Sequence, residues 1–214
     1  MIASARVKST YNKYSQYRSA SGMTGAQAAQ RILNSAGIYD VTIQHVSGNL
    51  TDHYNPSAKT LNLSDSVYNS TSVAAVGVAA HECGHAIQHQ NSYFPLTLRT
   101  AIVPAANLGS TLAWPLILIG LFFTRNTGAV LNNLGIICFS FAVIFQLVTL
   151  PVEFNASARA LRILGEQGIL SDSELPYTKK VLKAAALTYV AAAAASLLQL
   201  LRLLLLFGNR RRND

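Results

Sequence analysis

One long segment of this sequence is almost free of charge. Between Arg99 and Glu153 the only charged side chain is Arg125, which lies in a short polar stretch. The apolar runs on either side, about residues 105 to 123 and 129 to 150, are each long enough as helices to cross a hydrocarbon layer of about 30 Å. The segment therefore predicts a transmembrane hairpin with a polar turn at Arg125.

A third apolar run, residues 184 to 207, is also long enough to span a membrane. Arg202 near its end can extend its guanidinium to the interface, and the basic cluster at residues 210 to 212 follows where lipid headgroups would lie. The alternative is three buried helices of a soluble protein, but such runs with charged flanks are hard to bury in a chain of 214 residues. The sequence predicts three membrane spans.

The overall composition supports a membrane protein and disfavours a nucleic-acid binder. Hydrophobic residues make up 50% of the chain and charged residues only 12%, against about 25% in a typical soluble domain. Lysine and arginine number 17 against 9 acidic residues, but they are spread along the chain, with a tight cluster only after the last apolar run. This distribution favours anionic lipid as the partner of the excess positive charge and predicts no nucleic-acid partner.

The strongest sign of chemistry is the run His-Glu-Cys-Gly-His from His81 to His85. On an α-helix these two histidines lie one turn apart on one face, so both can bind one metal ion while Glu82 faces a metal-bound water. Residues 70 to 90 favour a helix, because capping-type residues are followed by alanine and aliphatic residues without a proline. The alternative is a buried helix whose histidines are only hydrogen-bonded. The pattern favours a zinc hydrolase.

Zinc usually takes a third protein ligand, and Glu153 is the best candidate. It is the first acidic residue after the motif and follows Pro151 at the exit of the second predicted span. There it is expected to open a helix over residues 154 to 167. Because a hairpin returns the chain to the side it left, Glu153 can come back beside His81 and His85. The alternative role for Glu153 is helix capping at the membrane interface.

Several polar side chains near these residues have roles that the sequence leaves open. His53 could donate a hydrogen bond to an oxyanion or simply stabilise a turn, and Tyr54 carries the same ambiguity. His89 lies one turn further along the motif helix, where a supporting or structural role is expected. Asn155 could hydrogen-bond a metal-binding histidine or lie near a helix start. Arg159 could orient a ligand or a substrate carboxylate, or contact lipid.

The first 104 residues predict a small water-facing region. A capping-box-like start and an apolar periodicity predict a helix over residues 24 to 36. Residues 41 to 46 and 59 to 64 alternate apolar and polar side chains and predict two short strands. Enzymes with this motif commonly have an edge strand beside the metal that pairs with an extended substrate. We expect residues 59 to 64 to be that strand.

Four segments of the sequence resemble the YugP-type neutral zinc metallopeptidases, a bacterial membrane family. These segments are residues 7 to 14, 50 to 54, 79 to 89 and 150 to 157. The similarity covers nearly the whole chain and implies peptidase activity. Members usually carry an apolar segment ahead of the position of Met1, so the pattern predicts one N-terminal span fewer here.

The hairpin between the motif and Glu153 also resembles the HtpX-type membrane gluzincins. That resemblance implies zinc held by two histidines and one glutamate, here His81, His85 and Glu153. Those proteins commonly carry an aspartate four residues after the ligand glutamate, whereas this chain has Ser157 at that position. We therefore expect the hydrogen-bond partners of the metal ligands to differ from those in the HtpX-type proteins.

Together these features predict a mainly α membrane protein with a small β element, organised as a zincin-like HExxH core with transmembrane helices. Its expected segments are a water-facing half over residues 1 to 104 and a transmembrane hairpin over 105 to 150. A third-ligand helix and linker follow over residues 151 to 183, and a C-terminal transmembrane helix with a basic tail completes the chain over 184 to 214.

The predicted function is a membrane-embedded zinc metalloendopeptidase of the gluzincin type. Zn²⁺ held by His81, His85 and Glu153 would activate a water, with Glu82 as general base and His53 as a second catalytic residue. The expected partners are a protein or peptide substrate and the lipid bilayer. One alternative is a membrane scaffold or chaperone-like protein with a non-catalytic zinc site, which the lack of a fourth protein ligand disfavours. Another is a hydrolase of non-peptide bonds.

The expected location is a bacterial cell membrane, crossed several times, with the active site facing the cytoplasm. This orientation follows from the basic residues near the spans, which slightly favour the side of the motif. Those on the motif side are Arg99, Arg159, Arg162, Lys179, Lys180 and Lys183.

Overall fold

The computed structural model describes residues 2–123 and 125–207, and this part of the chain is mainly helical with one three-stranded sheet. A mainly α protein with a small β element is thereby confirmed. The helices and strands, in chain order, are α1 (Ile2–Tyr14), α2 (Gly25–Ser35), β1 (Thr42–Val46), β2 (His53–Asn55), β3 (Thr60–Ser64), α3 (Val73–Gln90), α4 (Phe94–Phe122), α5 (Arg125–Glu166) and α6 (Leu175–Phe207).

The chain divides into two compact units. The first comprises Met1–Tyr93 and Val152–Thr188, and the second comprises Phe94–Pro151 and Tyr189–Asp214. All the residues singled out above as candidate metal ligands or catalytic groups belong to the first unit. The division of the chain into four segments made from the sequence stays a prediction.

The core of the first unit is formed mainly by apolar side chains of α2, β3, α3 and the last part of α5. Helix α2 begins as the sequence predicts, because Thr24 accepts from the backbone of Gln27 while the Gln27 side chain accepts from the backbone of Thr24. Its apolar positions recur at helical spacing, so one face is buried completely. The largest side chains in this core that are completely buried include Ile32, Leu33, Leu61, Leu63 and Leu164.

The sheet has the strand order β1-β3-β2, with β1 parallel to β3 and β2 antiparallel to it. Both predicted strands are present, but the expectation that residues 59 to 64 form the edge strand is wrong. β3 occupies the centre of the sheet, and the edges are β1 and β2. Strand β2 was not predicted from the sequence, because its three residues are too few to show an alternating pattern and Pro56 follows them closely.

Helix α5 continues without a break through Pro151. The expectation that a new helix begins after Pro151 is therefore wrong. A proline removes one backbone donor from a helix. In an apolar stretch the surrounding backbone groups have no water to bond to, which favours keeping the remaining helical hydrogen bonds.

In the second unit, α4 and α5 approach each other closely, since a Cβ atom added at Gly109 would lie 2.3 Å from the backbone oxygen of Cys138. Helices α4, α5 and α6 are each long and apolar enough to cross a membrane. Many large apolar side chains on them are exposed, as expected for lipid-facing surfaces; they include Leu118, Phe122, Leu198 and Leu205. Helix α5 begins at Arg125, so the polar turn is shorter than predicted. The predicted basic cluster at residues 210 to 212 lies outside the described residues.

Candidate metal centre

Helix α3 carries both histidines of the motif on one face. It begins at an N-cap, Ser72, whose side chain accepts a hydrogen bond from the backbone of Ala75. The rings of His81 and His85 lie edge to face with centroids 4.8 Å apart. The helix expected over residues 70 to 90 is thus present with the two imidazoles one turn apart.

Glu153 on α5 meets these two histidines. Its side chain is almost fully buried, and its Oε2 atom lies 3.2 Å from His81 Nε2 and 3.7 Å from His85 Nε2. The three potential ligand atoms are all within 4.8 Å of one another. The structure therefore brings together the three side chains that were predicted from the sequence as metal ligands.

The absence of a side chain at Gly84 allows this meeting. A Cβ atom added there would lie 2.6 Å from the backbone oxygen of Ala156 on α5, far inside van der Waals contact. The glycine between the two histidines thus lets α3 approach the segment of α5 that carries Glu153. The consequence is that Glu153 can reach both imidazoles.

This donor set fits zinc. Two imidazole nitrogens and one carboxylate oxygen are common zinc ligands, with bonds of about 2.0 to 2.2 Å and tetrahedral geometry. Ligand atoms that share a tetrahedral zinc ion are therefore separated by roughly 3.3 to 3.6 Å. The distances of 3.2 Å and 3.7 Å from Glu153 to the two histidines lie close to that value.

The far ring nitrogen of each histidine also has a partner. His81 Nδ1 lies 3.1 Å from Ser157 Oγ, and His85 Nδ1 lies 3.1 Å from Gln88 Oε1. Ser157 thus directly contacts a histidine of the motif. Gln88 was not singled out from the sequence, although its position three residues after His85 places it within reach on a helix. Burial lowers the pKa of His85, but Glu153, Glu82 and Gln88 together outweigh this effect, and the net pKa is raised.

Glu82 lies beside the edge strand. It is buried, and its Oε2 accepts a hydrogen bond of 2.9 Å from the backbone N–H of Tyr54 in β2. Nearby, Asp52 accepts hydrogen bonds from both the backbone and the hydroxyl of Ser64, at 2.7 and 2.9 Å. Burial raises the pKa of Asp52, and the charge of Glu82 adds to that rise. The sequence did not single out Asp52.

Both ring nitrogens of His53 have partners. Nδ1 lies 2.9 Å from the backbone oxygen of Thr51, and Nε2 lies 3.1 Å from the side-chain nitrogen of Asn62. These contacts favour the turn-stabilising alternative over the oxyanion role, which stays a prediction. The hydroxyl of Tyr54 lies 2.9 Å from Nδ1 of His89, so these two residues support each other.

Among the described residues, the side chain of Asn155 makes its hydrogen bonds to residues other than the histidines of the motif. Its Oδ1 atom accepts hydrogen bonds from Gln88 Nε2 at 3.0 Å and from Arg159 Nε at 2.7 Å. Arg159 also lies over the ring of Tyr93, 5.9 Å from its centroid. Arg159 therefore supports a residue behind the ligands, which differs from the roles considered from the sequence; those stay predictions.

Comparison with known proteins agrees with this geometry. Residues 1–208 match the model of a family described as "Putative neutral zinc metallopeptidase". The chain is also 49% identical over 189 residues to the "Putative membrane protease YugP" of Bacillus subtilis (strain 168), covering 88% of this chain and 83% of that protein. No solved structure shows significant similarity.

Proposed function

This chain belongs to the family of neutral zinc metallopeptidases, and from that premise we propose that it hydrolyses peptide bonds at the centre formed by His81, His85 and Glu153. Glu82 is the general base. The observation that carries the proposal is the convergence of three zinc-type ligand atoms beside a buried glutamate that is not one of them.

Zinc, when bound, acts as a Lewis acid that polarises the scissile carbonyl and makes an attacking water more acidic. The Glu82 carboxylate takes a proton from that water and transfers it to the nitrogen of the leaving amine. The backbone N–H of Tyr54 holds the carboxylate in place from the side of β2. Ser157 and Gln88 orient the imidazoles of His81 and His85 from behind.

A peptide is the favoured substrate because β2 is an edge strand. An extended peptide can align along such an edge and form main-chain hydrogen bonds with it. Because the Tyr54 N–H in this strand contacts Glu82, a peptide bound along β2 would lie close to the general base. For His53 we propose stabilisation of the turn as the favoured role, because both of its ring nitrogens have partners, and catalysis as the alternative.

We also propose that the protein crosses a bacterial cell membrane several times with its active site facing the cytoplasm. Support comes from the three apolar helices and from the membrane protease to which the chain is similar. The orientation rests on the basic residues near the spans. Single cysteines introduced at Ser57 and at Thr127, in a variant without the native cysteines, should label with a membrane-impermeant thiol reagent from opposite sides in vesicles of known orientation.

The experiment for the activity compares wild type with Glu82→Gln, both purified in detergent. Zinc per chain should be near one in both proteins, because Glu82 is not a ligand. Cleavage of an unfolded protein substrate should be lost in Glu82→Gln and on adding a chelator to wild type. Zinc binding without any cleavage dependent on Glu82 would instead favour a scaffold with a non-catalytic zinc site.

A further inference from the structure

The side chain of Gln88 is completely buried and bonds to both helices that carry the candidate ligands. On α3, its Oε1 atom lies 3.1 Å from His85 Nδ1. On α5, its Nε2 atom donates to the backbone oxygen of Val152 at 2.8 Å and to Asn155 Oδ1 at 3.0 Å. Since Val152 directly precedes Glu153, the Gln88 amide links the ring of His85 to the backbone beside Glu153.

The chemistry of these partners assigns the two ends of the amide. A backbone carbonyl can only accept, so the atom facing Val152 is the amide nitrogen. Arg159 Nε, which can only donate, lies 2.7 Å from the same Asn155 atom that receives Gln88 Nε2, so that atom is also an acceptor. The remaining atom of the Gln88 amide is therefore its oxygen.

This assignment determines the tautomer of His85. The amide oxygen of Gln88 can only accept, so Nδ1 of His85 carries the hydrogen. In the neutral ring Nε2 then has the free lone pair, and Nε2 is the atom that faces Glu153. Gln88 thus presents to the metal position the form of the ring that can act as a ligand.

The support behind the other histidine lacks this property. His81 Nδ1 faces Ser157 Oγ, and a hydroxyl can either donate or accept. Ser157 therefore supports the His81 ring without selecting its tautomer. This difference singles out Gln88 among the residues behind the ligands.

We propose that Gln88, itself held by Asn155 and Arg159, is the positioning residue that keeps His85 in the Nδ1–H form with Nε2 aimed at the metal. It also fixes α3 to the backbone that precedes Glu153. This inference rests on the proposed zinc site and specifies how that site is preorganised. Removing a hydrogen-bond partner of this kind typically lowers metal affinity about 10- to 100-fold.

The test uses the full chain in detergent and the variant Gln88→Met, which has a similar volume and no amide. Zinc affinity, measured by competition with a chromogenic chelator, should fall about 10- to 100-fold. Ring ¹⁵N NMR of the metal-free protein at mildly alkaline pH should show that His85 loses its single Nδ1–H form. Ser157→Ala is the matched control, in which the His85 signals should not change.

Unchanged affinity or an unchanged His85 tautomer in a folded Gln88→Met protein would overturn the proposal. A fall in affinity alone would indicate only a structural role. If Gln88→Met does not fold, the same two measurements are made on Arg159→Met. This variant weakens the hydrogen bonds that hold Gln88 without changing a partner of His85. Neither measurement needs a substrate, so absence of Glu82-dependent cleavage would count against the peptidase proposal and leave this one standing.

Discussion

The backbone N–H of Tyr54 donates a hydrogen bond to Oε2 of Glu82 over 2.9 Å. Tyr54 belongs to β2, whose Cα register with β3 pairs Tyr54 with Leu61. Because its N–H points to Glu82, it is not needed for the ladder with β3. The edge of the sheet therefore orients the group that we propose as the general base.

Replacing Tyr54 by proline should remove this hydrogen bond and leave β2 paired with β3, because proline has no N–H and is tolerated in edge strands. We expect turnover to fall about tenfold or more, with the roughly 10²- to 10⁴-fold that a general base contributes as the upper limit. Zinc content should stay near that of wild type. The measurement is steady-state cleavage alongside metal analysis.

The matched control is Tyr54→Ala, which also lacks the ring but retains the N–H. Equal turnover of the proline and alanine variants would show that the ring of Tyr54, and not its N–H, is what matters. Tyr54→Phe separates the hydroxyl contact with His89 from both effects.

Replacing Glu153 by glutamine should strongly weaken zinc binding. The glutamine preserves the shape of a buried side chain but removes the negative charge between two imidazoles. The measurement is zinc affinity by chelator competition. Glu166→Gln is the matched control, because Glu166 is on the same helix but is exposed and paired only loosely with Arg162 at 3.9 Å. Equal affinities for the two variants would refute Glu153 as a ligand.

Replacing Gly84 by alanine should disturb the metal centre, although Gly84 is not itself a candidate ligand. The added Cβ would lie 2.6 Å from the backbone oxygen of Ala156, so α3 and α5 must move apart. We expect a loss of about 1 to 3 kcal/mol in stability and weaker zinc binding. Thermal unfolding with and without added zinc measures both effects.

The control for this variant is Gly165→Ala, in which the nearest atom to the added Cβ is the flexible end of Leu175 at 3.1 Å. Glycine is also disfavoured within helices, so this change should be neutral or stabilising. If Gly84→Ala behaved in the same way, close helix approach would not be a requirement of the site.

Replacing His53 by phenylalanine distinguishes its two proposed roles. Loss of its contacts with Thr51 and Asn62 should lower stability by about 1 kcal/mol. Turnover of the folded protein should fall less than tenfold, because both ring nitrogens already have partners. A fall of about 10² to 10³ at unchanged stability would instead establish the oxyanion role. Thermal unfolding measures the change in stability, and steady-state cleavage measures the change in turnover.

The elements that have local causes could be predicted from the sequence. The spacing of His81 and His85 follows from the helical repeat, and the capping box at Thr24 starts a helix without help from distant residues. The length and apolarity of three segments predicted three helices able to span a membrane. Glu153 could be nominated because acidic residues are scarce in such a chain and a buried one requires a partner.

The groups that surround those side chains depend on how distant parts of the chain pack together. Strand order depends on pairing between distant segments, so the sequence could not reveal that residues 60 to 64 lie in the centre of the sheet and that Tyr54 lies at its edge. The continuity of α5 through Pro151 likewise depends on its surroundings and not on the proline alone. The role proposed for Gln88 depends on Val152, which is 64 positions away in the chain. A hydrogen bond between two helices produces no periodic pattern in the sequence, so this contact could not be predicted.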